Sequence, residues 1–277
     1  MAQHLIGRAA WGLAIGWLLL SGMWALAARI EPDNPGLSNA PCPPPGTGLA
    51  DDLRLVVMTL AGRPPALRDW ADLCFYQERN RAITAGNQPP KVVFLGDSIT
   101  QYWGAADPGL FSDGRLNSGI AGQGSAQVLL RMVPDALALK PKVIHLLVGA
   151  NDVRGIPGPS RQEDYRNNIR AMITLAQDAG VIVVLGLIPP ATGKAEDEAR
   201  GTTAGIKALN SWLTDLAREK NLVLADYWTV MSGPDGLPRT GLTEDGTHPS
   251  AQGYAAMKQV TLSALTEAER RLAAQPR

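Results

Sequence analysis

From residue 91 onward the chain alternates short apolar runs with helical patterns, and that alternation limits the fold more than any other feature of the sequence. The apolar runs fall at 92–95, 116–117, 143–148, 181–187 and 222–227. Helical patterns at 125–139, 161–179, 203–219 and 251–273 separate or follow them. The longer runs are continuously apolar rather than alternating, as expected of strands covered on both faces. Strands of that kind joined by helices predict a parallel sheet. The expected fold class is α/β, a three-layer α/β/α sandwich on a flavodoxin-like five-stranded parallel sheet. Its ligand crevice should lie at the carboxyl ends of the strands.

Ahead of the sheet, residues 67–83 read as a helix with Leu67, Trp70, Leu73 and Cys74 as its apolar stripe. Within 125–139 the inward face is read as Val128, Leu129, Met132, Val133 and Leu137, with Pro134 expected to kink or split the helix. The segment 189–201, carrying Lys194, Glu196, Asp197 and Glu198, reads as a loop.

The first residues are of another kind. Residues 9–28 carry no charge, with Arg8 before them and Arg29 after. Such a stretch is an export signal or a membrane anchor. Gly12, Gly16 and Gly22 and the small-x-small triplet Ala25-Leu26-Ala27 favour cleavage. The expected organisation is a signal or anchor over 1–28, an irregular linker over 29–63 and a catalytic domain over 64–275. Either reading of the N-terminus places the rest outside the cytoplasm, in a periplasmic, secreted or outward-facing anchored form. Disulfides persist there, so Cys42 and Cys74 are either a bridge or two unrelated thiols.

At 45% hydrophobic residues the chain can bury one large core. The 26 basic and 26 acidic residues balance, which argues against a nucleic-acid partner. No His/Cys cluster has metal-ligand spacing, so neither metal nor cofactor is expected.

Chemistry-bearing residues gather where the strands should end. The first run stops at Gly96-Asp97-Ser98, a position for a nucleophile or simply for a helix cap. A serine nucleophile needs a base, and the chain has 3 histidines. His4 lies in the N-terminal segment and His145 lies inside a strand, which leaves His248. Asp245 stands three residues before it, close enough for one turn to present both side chains. Candidate donors for an oxyanion are the main-chain N–H groups of Ser98 and Gly122 and the carboxamide of Asn151.

Gly96-Asp97-Ser98-Ile99, Gly122, Gly149-x-Asn151-Asp152 and Asp245-x-x-His248 together resemble the four blocks of the GDSL or SGNH hydrolase family. The resemblance runs from about Trp70 to Met257. Asn117-x-Gly119-Ile120-x-Gly122 and Lys140-Pro141-Lys142-Val143 bring it nearest the bacterial branch related to platelet-activating-factor acetylhydrolase. It implies an esterase with Ser98 as nucleophile, His248 as base, Asp245 as its orienter, and Ser98, Gly122 and Asn151 as oxyanion hole. Gln123 stands where many members carry Asp, which bears on substrate preference. Asp97, Trp103 and Gln123 are candidate substrate contacts, with Tyr102 beside them; for Tyr102 and Trp103 the alternative is helix packing. The expected substrate is a small-molecule or glycan ester with a short acyl group, or a lysophospholipid. Membrane association through residues 9–28 would be a second contact. The rival readings are an O-acyltransferase, a non-catalytic polysaccharide-binding protein on the same fold, and a flavodoxin-like binding module.

Overall fold

Five strands form one parallel sheet: β1 (Val92–Gly96), β2 (Arg115–Gly119), β3 (Val143–Leu147), β4 (Ile182–Gly186) and β5 (Val223–Ala225). The computed structural model describes residues 69–158, 160–192 and 196–274. All of them belong to one compact unit that begins at Asp69. The spatial order is β2-β1-β3-β4-β5, and every pairing is parallel. This is the sheet that the alternating runs predict. The expected signal or anchor, the linker and Cys42 lie outside the described residues. Among the described residues no helix is long and apolar enough to cross a membrane.

Successive strand residues point to opposite faces, so the sheet divides the interior into two cores. Val93, Leu95, Ile144, Leu146, Val183 and Leu185 face the first. Helices α3 (Ser125–Asp135), α5 (Gln162–Asp178) and α6 (Glu196–Glu219) cover it. Phe94, Leu147, Val184 and Val223 face the second. That side is covered by α2 (Ser98–Ala106), α7 (Tyr227–Met231) and α8 (Ala251–Ala273). Two short helices complete the unit, α1 (Gln77–Ala85) and α4 (Ala150–Arg154).

His145 lies in the second core, where Nε2 meets the Tyr227 hydroxyl at 2.6 Å. Burial pushes its imidazole down to about 3, so it stays neutral. It is structural, as its place inside a strand implies.

Three local expectations need correction. The leading helix begins at Gln77, ten residues later than expected. Both oxygens of the Asp69 carboxylate are taken by the Leu73 and Cys74 N–H groups, at 2.7 and 2.8 Å, and Asp72 adopts φ +54°. Those turns leave Trp70 and Leu73 exposed rather than in a core stripe. Cys74 itself is disulfide-bonded.

Helix α3 ends at Asp135, one residue after Pro134, and a separate tight turn takes Leu137–Leu139, the split that Pro134 predicts. The expected inward face holds at Val128 and Met132, which are buried, and at Leu129 and Leu137, which pack against the first core; Val133 is the exception. Val133 is 51% exposed, whereas Gln127, Arg131 and Asp135 are buried beside Val128 and Met132. A polar pair, Arg131 and Asp135, thus joins the inward face, which the apolar pattern alone does not show.

The segment 189–201 is a loop only in its first half, because α6 already begins at Glu196.

Candidate active site

Ser98 opens α2, separated from Gly96 at the end of β1 by Asp97 alone. Asp97 caps that helix, its Oδ1 accepting from the Ile99 N–H at 3.0 Å. Gly96 is required by contact: a Cβ there would stand 2.2 Å from the Leu147 carbonyl oxygen and 2.4 Å from Thr100 Oγ1. A bare backbone therefore brings the end of β1 against β3 and aims the first helical turn at the strand ends.

The second half of the pair arrives from the other end of the chain. Residues 243–249 fold back on themselves, with Thr243 bridging Pro249 and the Glu244 N–H donating to the His248 carbonyl at 2.9 Å. Inside this turn Asp245 Oδ1 accepts the Thr247 and His248 N–H groups at 3.0 and 2.8 Å. Its Oδ2 lies 2.8 Å from His248 Nδ1. The other ring nitrogen, Nε2, lies 2.9 Å from Ser98 Oγ. Partial burial would raise the Asp245 carboxyl, but the His248 and Thr247 hydrogen bonds outweigh it and hold the group down to about 2. Asp245 is thus an anion at any working pH, and Nδ1 is the protonated ring nitrogen facing it. The free lone pair of Nε2 then points at the serine hydroxyl.

Below this pair the Tyr254 hydroxyl donates to the Ile99 carbonyl at 2.9 Å, locking α8 to the first turn of α2. Tyr102, one turn beyond Ser98, is 45% exposed, and its ring centroid lies 5.2 Å from that of His248.

The other two expected donors sit on neighbouring loops. Gly122 adopts φ +79°, a conformation costly for a residue with a Cβ. Asn151 lies in the first turn of α4, and its Nδ2 donates to the Gln123 carbonyl at 2.9 Å. That bond uses one N–H of the carboxamide and leaves the second without a partner among the described residues. The Ile120 N–H donates to the Gly96 carbonyl at 3.1 Å, which holds this loop to the end of β1. Asp152 pins α4 to the start of α3 by accepting from Ser125 Oγ at 2.6 Å and from its N–H at 2.9 Å. The structure therefore brings Ser98, Asp245 and His248 into one hydrogen-bonded chain, and ties the Gly122 and Asn151 loops together beside it.

Three other expected residues do not face substrate. Trp103 is 0% exposed and packs between Phe94, Tyr227 and Tyr254 in the second core. Asp97 is 2% exposed and is spent on capping α2. Gln123 is 1% exposed: Oε1 accepts from Arg131 Nε, and Nε2 donates to the Ala71 carbonyl and to Asp72. In each case the side chain that sequence proximity assigned to the ligand is directed into the protein. Arg131 is a further residue of this network, outside the expected set. The signal was there, because 128, 131, 132 and 135 form an unbroken helical stripe through two charged residues.

A serine whose hydroxyl meets a carboxylate-anchored imidazole, carried on a parallel α/β sandwich, defines the class: an acyl hydrolase. The family profile for GDSL-like lipases and acylhydrolases matches residues 94–256, more than half of the chain, and the protein belongs to that family. It is a carboxylic ester hydrolase. A GDSL-like lipase from Bacteroides thetaiotaomicron is 28% identical, with 72% of this chain and 99% of the lipase covered at a TM-score of 0.65. An acetyl xylan esterase is 26% identical, with 62% of this chain and 98% of that one covered at a TM-score of 0.53. No curated protein matches the sequence.

Proposed function

We propose that the protein cleaves short-chain acyl esters, above all acetyl groups on carbohydrate, through an acyl-enzyme on Ser98. The hydrogen-bonded chain from Ser98 Oγ through His248 to Asp245, at 2.9 and 2.8 Å, is the observation that carries the reading. Ser98 Oγ attacks the ester carbonyl as Nε2 of His248 takes its proton. The oxyanion is met by the N–H groups of Ser98 and Gly122 and by the free N–H of Asn151, a set of neutral donors fixed before reaction. The C–O bond breaks and the alcohol leaves with the proton from Nε2. Nε2 then deprotonates a water that attacks the acyl carbon, and the acid departs as Ser98 regains its hydrogen.

Substrate class rests on two supports. A relative at 26% identity is an acetyl xylan esterase. The exposed ring of Tyr102 beside His248 offers a flat face to a sugar or aryl leaving group. An envelope or extracellular substrate follows from export, which rests on the uncharged run 9–28 alone.

The test is trapping with a fluorophosphonate, followed by peptide mapping and a chain-length series of p-nitrophenyl esters. The label is expected on Ser98, with rates falling from acetate to decanoate, acetate released from acetylated xylan, and no turnover by Ser98→Ala. A label elsewhere, or activity surviving Ser98→Ala, overturns the mechanism. A preference for decanoate overturns the substrate class.

A further inference from the structure

Behind the proposed oxyanion donors lies a fully buried arginine for which the chemistry described so far has no use. Arg131 Nη2 donates to the Gly96 carbonyl at 2.6 Å, two residues before Ser98. Nη1 donates to the Ser118 carbonyl at 2.7 Å, at the end of β2, and reaches Asp135 at 3.3 Å. Nε donates to Gln123 Oε1 at 2.5 Å, in the residue after Gly122. Gln123 in turn accepts Asn151 Nδ2 on its own carbonyl at 2.9 Å. One planar fork therefore touches the backbone next to Ser98, the strand that leads into the Gly122 turn, and the residue that holds both Gly122 and Asn151.

Stability is a poor explanation for this arrangement. Burying a guanidinium with a single carboxylate partner costs desolvation that the ion pair barely offsets. What the group supplies is geometry: five N–H donors in a rigid plane that fix the directions of their acceptors relative to one another. An oxyanion hole depends on that property, because its donors act only if they are already placed when charge develops.

We propose that Arg131, working through Gln123, is a positioning residue that sets the oxyanion donors of Ser98, Gly122 and Asn151 in register. The proposal rests on the esterase reading above. Gln123 is well suited to its part. Its Nε2 is committed to the Ala71 carbonyl and to Asp72 Oδ2, at 3.0 and 2.8 Å, so Oε1 is the atom left to face Arg131. A lysine at 131 would keep the charge but could not span three acceptors.

The experiment compares the wild type with Arg131→Lys and Gln123→Ala, each as the full chain, with active sites counted by fluorophosphonate titration. Turnover of p-nitrophenyl acetate is expected to fall about ten-fold or more per titrated site in Arg131→Lys, since small misplacements at a reacting centre are costly. KM should stay within about three-fold, because a donor that acts mainly on the transition state changes kcat more than KM. A purely structural role would lower Tm and the titratable fraction while leaving kcat per site alone. Wild-type kcat per site in Arg131→Lys overturns the proposal. If that variant does not fold, Gln123→Ala decides in the same way, since it removes the Nε acceptor and leaves the Gly96 and Ser118 contacts in place. A wild type that neither labels at Ser98 nor turns over defeats the esterase reading itself, an outcome distinct from equal kcat values among labelled proteins.

Discussion

Asp245 grips His248 twice: one carboxylate oxygen takes the ring Nδ1 and the other takes the main-chain N–H of the same residue, each at 2.8 Å. The two bonds do different work. The main-chain bond shapes the turn, and the ring bond selects the tautomer.

Two substitutions separate them. Asp245→Asn retains an acceptor for the turn but can present an amide N–H₂ to Nδ1, which favours the tautomer with its proton on Nε2, facing Ser98. Asp245→Ala removes both bonds. Both are expected to lower kcat by about 10²–10⁴-fold, with the Asn variant keeping wild-type thermal stability. Steady-state kinetics and thermal melts measured together check this, and an Asn variant with wild-type kcat would show that the ring bond is dispensable.

Tyr102 and Trp103 are neighbours in sequence with opposite fates, which makes them a matched pair for test. Trp103→Ala empties a site in the second core and is expected to cost about 3–5 kcal/mol in urea unfolding. Tyr102→Ala removes an exposed ring and is expected to change stability by no more than about 0.5 kcal/mol. Its effect should appear in KM for aryl or glycosyl esters, a rise of about three- to ten-fold for the lost ring contact. An unchanged KM on both kinds of ester would remove Tyr102 from the leaving-group side.

Stability against pH carries a signature of two buried groups pulling in opposite directions. Burial pushes the Asp97 carboxyl up to about 7, helped by nearby Asp152 and opposed by the Ile99 N–H and Arg131. The folded state then holds a proton that the unfolded chain gives up near pH 4, so this group lowers stability as pH rises from about 4 to 7. His145, held down to about 3 by burial, lowers stability as pH falls from about 6.5 toward 3. The slopes oppose one another between about pH 4 and 6.5. Asp97→Asn deletes only the first while keeping an acceptor for Ile99. Its unfolding free energy should rise with pH more steeply than that of the wild type in that window, and exceed it near pH 8. Urea titrations at about pH 5, 6.5 and 8 measure the difference; a gap between the two proteins that is constant with pH would show that Asp97 does not titrate there.

The sheet was legible because its strands are short, apolar and punctuated. The closing helix at 251–273 is found where its pattern places it, headed by Ser250 as a cap. The residues of the Ser98–His248–Asp245 chain were legible by scarcity, since elimination left one histidine free to serve a serine. Polar side chains that turn inward leave no such mark in the sequence. Apolar counting cannot show that Arg131 and Gln123 satisfy each other, because a buried charge is tolerated only through partners distant in sequence. Nor can it show that Trp103 turns inward while Tyr102 stays out. The choice depends on which face of α2 meets the second core, and tertiary packing decides that. The late start of α1 has a local cause, Asp69 competing for N–H groups that a helix would need.

The central sheet separates more than two cores. Ser98 and His248 are rooted on one side of it, through Ile99, Trp103 and Tyr254. The loops bearing Gly122 and Asn151 are rooted on the other, through Val128 and Ala150. The proton-transfer pair and two of the three proposed oxyanion donors therefore have separate foundations, joined at the strand ends where Arg131 meets the Gly96 carbonyl. A library of core substitutions confined to one layer would act first on the residues rooted there while leaving the other layer's packing untouched. The fold thus offers two dials, coupled through Arg131, for adapting a single serine to new esters.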